Sequence, residues 1–235
     1  KRLIDEAARI GADAVKFQSF RADQLVTPQQ EAVYQAVKGC ELPQEWHRPL
    51  AAYARERRII FLSTAFDEES ADLLFNLGMP AFKVASGDLT HIPLLRHVAR
   101  FGLPILLSTG MGTLGEVEEA IGVIRQEGNE EIVLLHCVST YPSRIEDANL
   151  RAILTMREAF GLPVGSSDHT LGIAVPLGAI ALGACLLEKH FTLDRTLPGP
   201  DHPHSMEVEE FESMIREIRC LEVALGTGQK APTAA

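Results

Sequence analysis

Apolar, β-branched runs recur along the chain: AVKFQSF, IIFLST, AFKVASG, PILLSTG, IVLLHCV, PVGSSDH and CLLEKHFT. Between them the apolar positions take on helical spacing, as in 115–127, in the stretch from Asp67 and in the long segment from Glu207. Strands alternating with amphipathic helices predict βαβ units and a parallel sheet. The runs are apolar at nearly every position, which predicts strands covered on both faces. Asp67 followed by an acidic first turn is a helix-start signal.

These seven strand candidates, with about eight helix patterns, fit a (β/α)8 TIM barrel. The chain nevertheless opens on a helix pattern, KRLIDEAARIGA. The expectation is an α/β fold, a TIM barrel over residues 1–225, apparently lacking its first strand in this chain. The alternative is an open doubly wound sheet, but no GxGxxG follows any strand. Residues 226–235, GTGQKAPTAA, are small, polar and contain proline, and read as the start of a linker.

Composition narrows the partners. The 235 residues suit one large domain, and a hydrophobic fraction of 46% with 23% charged residues is ordinary for a globular protein. A net charge of −10 disfavours nucleic acid and anionic membrane, although local lysines can still receive an anionic substrate. No signal peptide and no membrane-spanning apolar stretch is evident. The four cysteines form no CxxC pair, and Cys137 and Cys185 lie in apolar runs and read as small core residues. That usage fits a reducing, cytoplasmic compartment.

Candidate chemistry collects where parallel folds build their sites, at the C-terminal ends of the strands. In chain order the polar residues there are Lys16 and Gln18; Ser63 and Thr64; Lys83, Ser86 and Asp88; Ser108 and Thr109; His136 and Ser139; Ser167, Asp168 and His169; Glu188, Lys189 and His190. Alternation puts Glu188 and His190 on one strand face and Lys189 on the other, which marks Lys189 as a partnered structural lysine. Lys83 and Ser86 have opposite parity, so both face the site only if the strand has ended by Ser86, as Gly87 permits.

Lys16 and Lys83 also read as halves of buried ion pairs. His136 reads as a hydrogen-bonded core residue. His91 and His97 lie in a helix pattern, and His47, His202 and His204 in loops or helix starts with nothing to pair them. His169 and His190 end successive strands, which lie about 5 Å apart, so both imidazoles can reach one ion. Two imidazoles plus oxygens suit Mn2+, with Mg2+ or Co2+ as alternatives. Two lysines and several hydroxyls suit a phosphate or carboxylate.

The motifs AVKFQSF, FLSTAFD, FKVASGDLT, ILLSTGMGTLGEVEEAI, LLHCVSTYPS, VGSSDHTLGIAVPLGAIALGA and LLEKHFTLDRTLPGPDHPHSM resemble, in order and over nearly the whole chain, the sialic acid synthase family. That family includes N-acetylneuraminate synthase, its legionaminate and pseudaminate relatives, and enzymes of spore-coat polysaccharide synthesis. The resemblance implies condensation of phosphoenolpyruvate with an open-chain N-acylated amino-hexose, such as N-acetylmannosamine, to a nine-carbon 2-keto acid and phosphate. It implies metal ligation by His169 and His190, and phosphoenolpyruvate binding by Lys16, Lys83, Thr64, Ser86, Ser108 and Ser167. Asp88 and Glu188 match acidic active-site positions, and together with Lys83 they are the catalytic candidates. Gln18, Tyr141 and Asp201 match positions near the sugar.

A homodimer follows from the same resemblance. Family members begin with a strand like AEIGxNHxG, and many carry a C-terminal antifreeze-like (SAF) domain; neither is in this sequence. Two rivals stand beside this reading. One is a Schiff-base aldolase using Lys83 or Lys16. The other is a truncated, catalytically silent barrel serving as an interaction module.

Overall fold

The computed structural model describes residues 1–230. Seven strands form one parallel sheet: β1 Ala14–Ser19, β2 Ile60–Ala65, β3 Phe82–Val84, β4 Ile105–Ser108, β5 Ile132–Cys137, β6 Val164–Asp168 and β7 Leu187–Lys189. Their spatial order is their chain order, and every pairing is parallel. Two short strands, β8 Phe191–Thr192 and β9 Met206–Glu207, pair separately.

The helices are α1 Arg2–Arg9, α2 Ala22–Leu25, α3 Glu31–Lys38, α4 Gln44–Glu56, α5 Glu68–Asn76, α6 Ile92–Ala99, α7 Leu114–Gln126, α8 Ala152–Phe160, α9 Ala174–Ala181 and α10 Val208–Leu225. The surplus over the predicted count is α2 and α3, both in the β1–β2 connection. Between them they bury only Ala22, so they leave little apolar periodicity to detect.

The sheet curls in the manner of a TIM barrel. Although β1 and β7 exchange no ladder hydrogen bonds among the described residues, Lys16 of β1 and Glu188 of β7 come within 3.7 Å. Strands and helices share one core: Phe82, Ile105, Leu107 and Leu134 pack in the same cluster as Leu74, Leu94, Leu95, Ile124 and Ile153. Each such side chain, fully buried, contributes about 1.5–3 kcal/mol.

Local signals set the helix ends. Asp67 caps α5 by accepting from Ser70 N at 2.8 Å, and Thr113 with Glu116 forms a reciprocal capping box on α7. A smaller cluster of Met206, Met214 and Ile218 seats α10 against β9 and anchors the end of the 193–205 loop.

No described helix is long and apolar enough to cross a membrane, and all four cysteines are free. Cys137 is buried as expected, but Cys185 is exposed. It lies in the turn between α9 and β7, so the apolar run CLLEKHFT begins before its strand does. The run is also not one strand: it breaks at His190, and Phe191–Thr192 turns to pair with β9. Helix α10 ends at Leu225, where the linker was expected to begin; of that linker, residues 231–235 lie outside the described residues.

Candidate active site

Two polar clusters meet at the C-terminal rim of the sheet. The first gathers around Glu188. Register pairs Thr64 with Lys83 and Ser167 with Glu188, and curling brings in Lys16. Ser167 Oγ donates to Glu188 Oε1 at 2.8 Å. The ammonium groups of Lys16 and Lys83 stand 3.7 and 3.8 Å from the same carboxylate. Lys16 Nζ donates to Thr64 Oγ1 at 3.3 Å and Lys83 Nζ to Val84 O at 3.0 Å. The lysine–glutamate contacts exceed hydrogen-bond length, so both ammonium groups keep donors for a ligand.

Burial pushes Lys83 down to about 8, with Glu188 opposing and Lys16 reinforcing the shift. Burial alone would raise Glu188. The ammonium groups of Lys16 and Lys83, with the Ser167 hydrogen bond, override it and hold the carboxyl at about 2.

Hydroxyls converge beside this cluster. β3 ends at Val84, and Ser86–Asp88 forms a single 3-10 turn, which frees Ser86 from strand parity. Ser86 Oγ accepts from Gly110 N at 3.0 Å. A Cβ at Gly110 would lie 2.3 Å from Ser139 Oγ and 2.8 Å from Ser86 Oγ, so only glycine fits between them. Ser108 Oγ is buried without a partner, as is Asp88 Oδ2. Asp88 is lifted to about 6 by burial, which the neighbouring His91 and Lys83 only partly offset.

Such orphaned groups are costly in a finished core and ordinary in a site awaiting a ligand. Gln18 is exposed at the end of β1, opposite Thr64 in register. Ser63 and Thr109, also rim candidates, serve the fold instead. Ser63 bonds Ser19, which bonds His47 at 2.6 Å, and Thr109 Oγ1 donates to Leu135 O. His47, expected in a loop or helix start, is thus buried within α4.

The second cluster is aromatic. Tyr141 packs against His169, His190 and His204, with ring centroids 4.2, 5.7 and 5.3 Å away. His169 and His190 lie 5.2 Å apart by ring centroid. His169 Nδ1 is 2.8 Å from Val138 O. A carbonyl only accepts, so Nδ1 carries the proton, and in the neutral ring the lone pair is on Nε2, the orientation a ligating imidazole needs. Burial holds His190 down at about 4, reinforced by His169 and Lys16 and opposed by Asp201. It is therefore neutral near pH 7, as ligation requires.

Asp201 stands 3.5 Å from His190 Nδ1 and 3.9 Å from His204 Nε2. A donor set of imidazoles and one carboxylate can hold a divalent transition ion such as Mn2+, Co2+ or Zn2+. Among the described residues, His190, Asp201 and His204 offer ligand atoms all within 4.8 Å of one another; of the anticipated pair this group includes His190 and not His169. His204 was the residue sequence reading passed over.

Lys189 turns away from both clusters. Its ammonium donates to Asp168 Oδ2 at 2.5 Å and Thr170 O at 2.6 Å. Asp168, a rim candidate in the sequence, is thereby committed to the structural pair. His136, half-buried, bonds Ala148 O at 2.8 Å.

The family model described as the NeuB family matches residues 3–230. The chain belongs to the NeuB family. It is 45% identical over 250 residues to the N,N'-diacetyllegionaminic acid synthase of Legionella pneumophila, covering 99% of this chain and 70% of that protein. It is 48% identical over 232 residues to an uncharacterised protein of Methanocaldococcus jannaschii, covering 99% and 68%.

The crystal structure of the N-acetylneuraminic acid synthetase of Leptospira borgpetersenii superposes with a TM-score of 0.94 at 37% identity, over 99% of this chain and 81% of that one. A truncated 3-deoxy-D-arabino-heptulosonate 7-phosphate synthase of Thermotoga maritima shares the fold, with a TM-score of 0.78 at 17% identity. The named NeuB-family relatives make sialic, legionaminic and pseudaminic acids, so this is a family of sugar-acid synthases. The sequence motifs had implied the same.

Proposed function

We propose that this NeuB-family chain condenses phosphoenolpyruvate with the open-chain aldehyde of an N-acylated amino-hexose, giving a nine-carbon 2-keto sugar acid and inorganic phosphate. The observation that carries this reading is the Glu188 cluster. Two ammonium groups with spare donors, and the unpartnered hydroxyl of Ser108, form a compact receptor for a small dianion. Lys16, Lys83, Thr64, Ser86, Ser108 and Ser167 hold the phosphate and carboxylate of phosphoenolpyruvate. Gln18, Tyr141 and Asp201 stand towards the sugar.

In the balanced reaction, C3 of phosphoenolpyruvate forms the new C–C bond to the aldehyde carbon, whose oxygen takes a proton. Water adds at C2, and the C2–O bond breaks as phosphate leaves. Asp88, poised at about 6 by its burial, exchanges a proton with water or substrate. Glu188 stays ionised and keeps both ammonium groups charged and aimed at the rim. His169 and His190 would hold a divalent ion, Mn2+ or its Mg2+ or Co2+ alternatives. When bound, such an ion supplies Lewis-acid polarisation for the aldehyde.

The test is phosphate release from phosphoenolpyruvate with Mn2+ and either N-acetylmannosamine or a diacetylated diamino-hexose. Release that depends on sugar and metal is expected. Its absence with every such sugar overturns the reading. The depressed Lys83 favours a second reading, Schiff-base aldol chemistry. Borohydride trapping with pyruvate tests it, and an unmodified protein mass is expected. The homodimer belongs to the same proposal, and a light-scattering mass of one chain would remove it.

A further inference from the structure

We propose that His204 is a further protein ligand of the divalent ion beside His169 and His190, with Asp201, which also stands towards the sugar, as the carboxylate of the group. The proposal rests on the reading that an ion binds at His190, and it adds a donor from the 193–205 loop that follows that strand end.

Three observations point to it. His204 Nε2 is buried and has no hydrogen-bond partner, although its side chain is only 9% exposed. A buried ring nitrogen with no partner is unfavourable unless something else occupies its lone pair. Secondly, its neighbours are unspent donors. Among the described residues, no side-chain hydrogen bond involves His190 or the carboxylate of Asp201, and the contacts between these groups run from 3.5 to 3.9 Å. Those spacings are too long for hydrogen bonds and fall between the cis and trans separations of two ligands on one ion. Donors about 2.0–2.2 Å from one ion lie about 3 Å apart when cis and about 4.3 Å when trans. All three ligand atoms fall within 4.8 Å of one another.

Thirdly, the loop holding Asp201 and His204 is fixed. β8 and β9 pair in parallel immediately after His190, and Met206 N donates to His190 O at 2.9 Å. The intervening 3-10 turn His202–His204 is tied down at both ends. His202 Nδ1 bonds Thr192 Oγ1 at 2.7 Å, and Ser205 Oγ donates to Asp201 O at 2.7 Å. So in the Asp-His-Pro-His run the first histidine is structural and the second faces the cluster. Its ring centroid lies 5.1 Å from that of His190, with Tyr141 packed against both.

With His169 beside them, His190, His204 and Asp201 make three imidazoles and one carboxylate, which leaves two positions of a six-coordinate ion open for water and substrate oxygens. The same set is also a good one for Co2+ and Zn2+, so the site should discriminate less against those ions than two imidazoles with oxygen ligands would.

The experiment titrates Mn2+ into the metal-stripped protein and its His204→Ala, Asp201→Asn and His190→Ala variants. The free-ion paramagnetic resonance signal reports binding, and nitrogen hyperfine coupling reports the number of imidazoles on bound Mn2+. The unliganded melting curve controls for folding. His204→Ala is expected to weaken Mn2+ binding by about 10–100-fold, at least the effect of losing an outer-shell partner. It should also remove one nitrogen coupling while leaving the melting curve unchanged. Unchanged affinity and coupling in His204→Ala, with binding lost in His190→Ala, overturns His204 as a ligand and leaves the metal reading standing. Unchanged binding in His190→Ala removes the metal reading itself. If His204→Ala fails to fold, His204→Gln supplies the same readout.

Discussion

Glu188 and Lys189 are consecutive in sequence, carry opposite charges and face opposite ways, and their surroundings could hardly differ more. Lys189 belongs to a closed pair. Its ammonium is 2.5 Å from Asp168 and 2.6 Å from Thr170 O, while Thr170 N and Oγ1 donate back to Asp168. Both side chains are almost fully buried, and the carboxylate spends its lone pairs on close partners. Glu188 belongs to an open cluster, whose lysines stand off at 3.7 and 3.8 Å and keep donors in reserve. A saturated pair can only hold strands together. A loose one, with one positive charge to spare and donors unspent, can receive an anionic ligand without first breaking a bond. Function sits where the contacts are worse.

The sharpest way to break this contrast is to remove one lysine from each side. Lys189→Met strands a buried carboxylate and is expected to destabilise the fold by about 3–5 kcal/mol. Denaturant unfolding measures it, and Asp168→Asn in the same chain should restore much of the loss. A loss below 1 kcal/mol would show that Asp168 finds water or another partner. Lys83→Met, equally buried, should behave in the opposite way. Its ammonium already suffers from burial, so stability should change by less than about 1 kcal/mol or rise. Turnover, by contrast, should fall about 10²–10³-fold through loss of a donor to developing charge. Full turnover in Lys83→Met would remove it from the site.

Much of this contrast was readable from the chain. Strand alternation alone separates Glu188 from Lys189, and Gly87 after Ser86 signals the strand end that lets Lys83 and Ser86 share the rim. The near-continuous apolar runs disclose a parallel sheet, because strands covered on both faces need no polar alternation. What stayed hidden depends on contacts between distant segments. Asp168 looked like a site residue because a strand end gives its side chain either fate, and only the packed Lys189 decides between them.

His204 could not be placed because the parallel β8–β9 pairing that carries it to His190 spans two residues per strand, too short to leave a pattern. The i, i+3 spacing of Asp201 and His204 across a proline was the available signal. Cys185 misled for a simpler reason: an apolar run does not say where its strand starts.

The finest distinction between open and closed regions lies in Asp88, whose Oδ2 is unpartnered and whose burial lifts its carboxyl from the usual 3.8 to about 6. A raised folded pKa means that the native state binds more protons than the unfolded chain between about pH 4 and 6. Stability therefore falls as pH rises through that window. Asp88→Asn should abolish this slope and be more stable than the parent at pH 7, as urea unfolding from pH 4 to 7 would report. The ionised carboxylate is the form that can accept a proton, so kcat/KM should drop about tenfold per pH unit below 6. That limb should vanish in Asp88→Asn as the plateau falls. The phosphate of the substrate also titrates near 6, so an acid limb in activity alone is ambiguous. The stability slope involves no substrate. If it survives in Asp88→Asn, the proton belongs to another group, and the unpartnered carboxyl is ordinary.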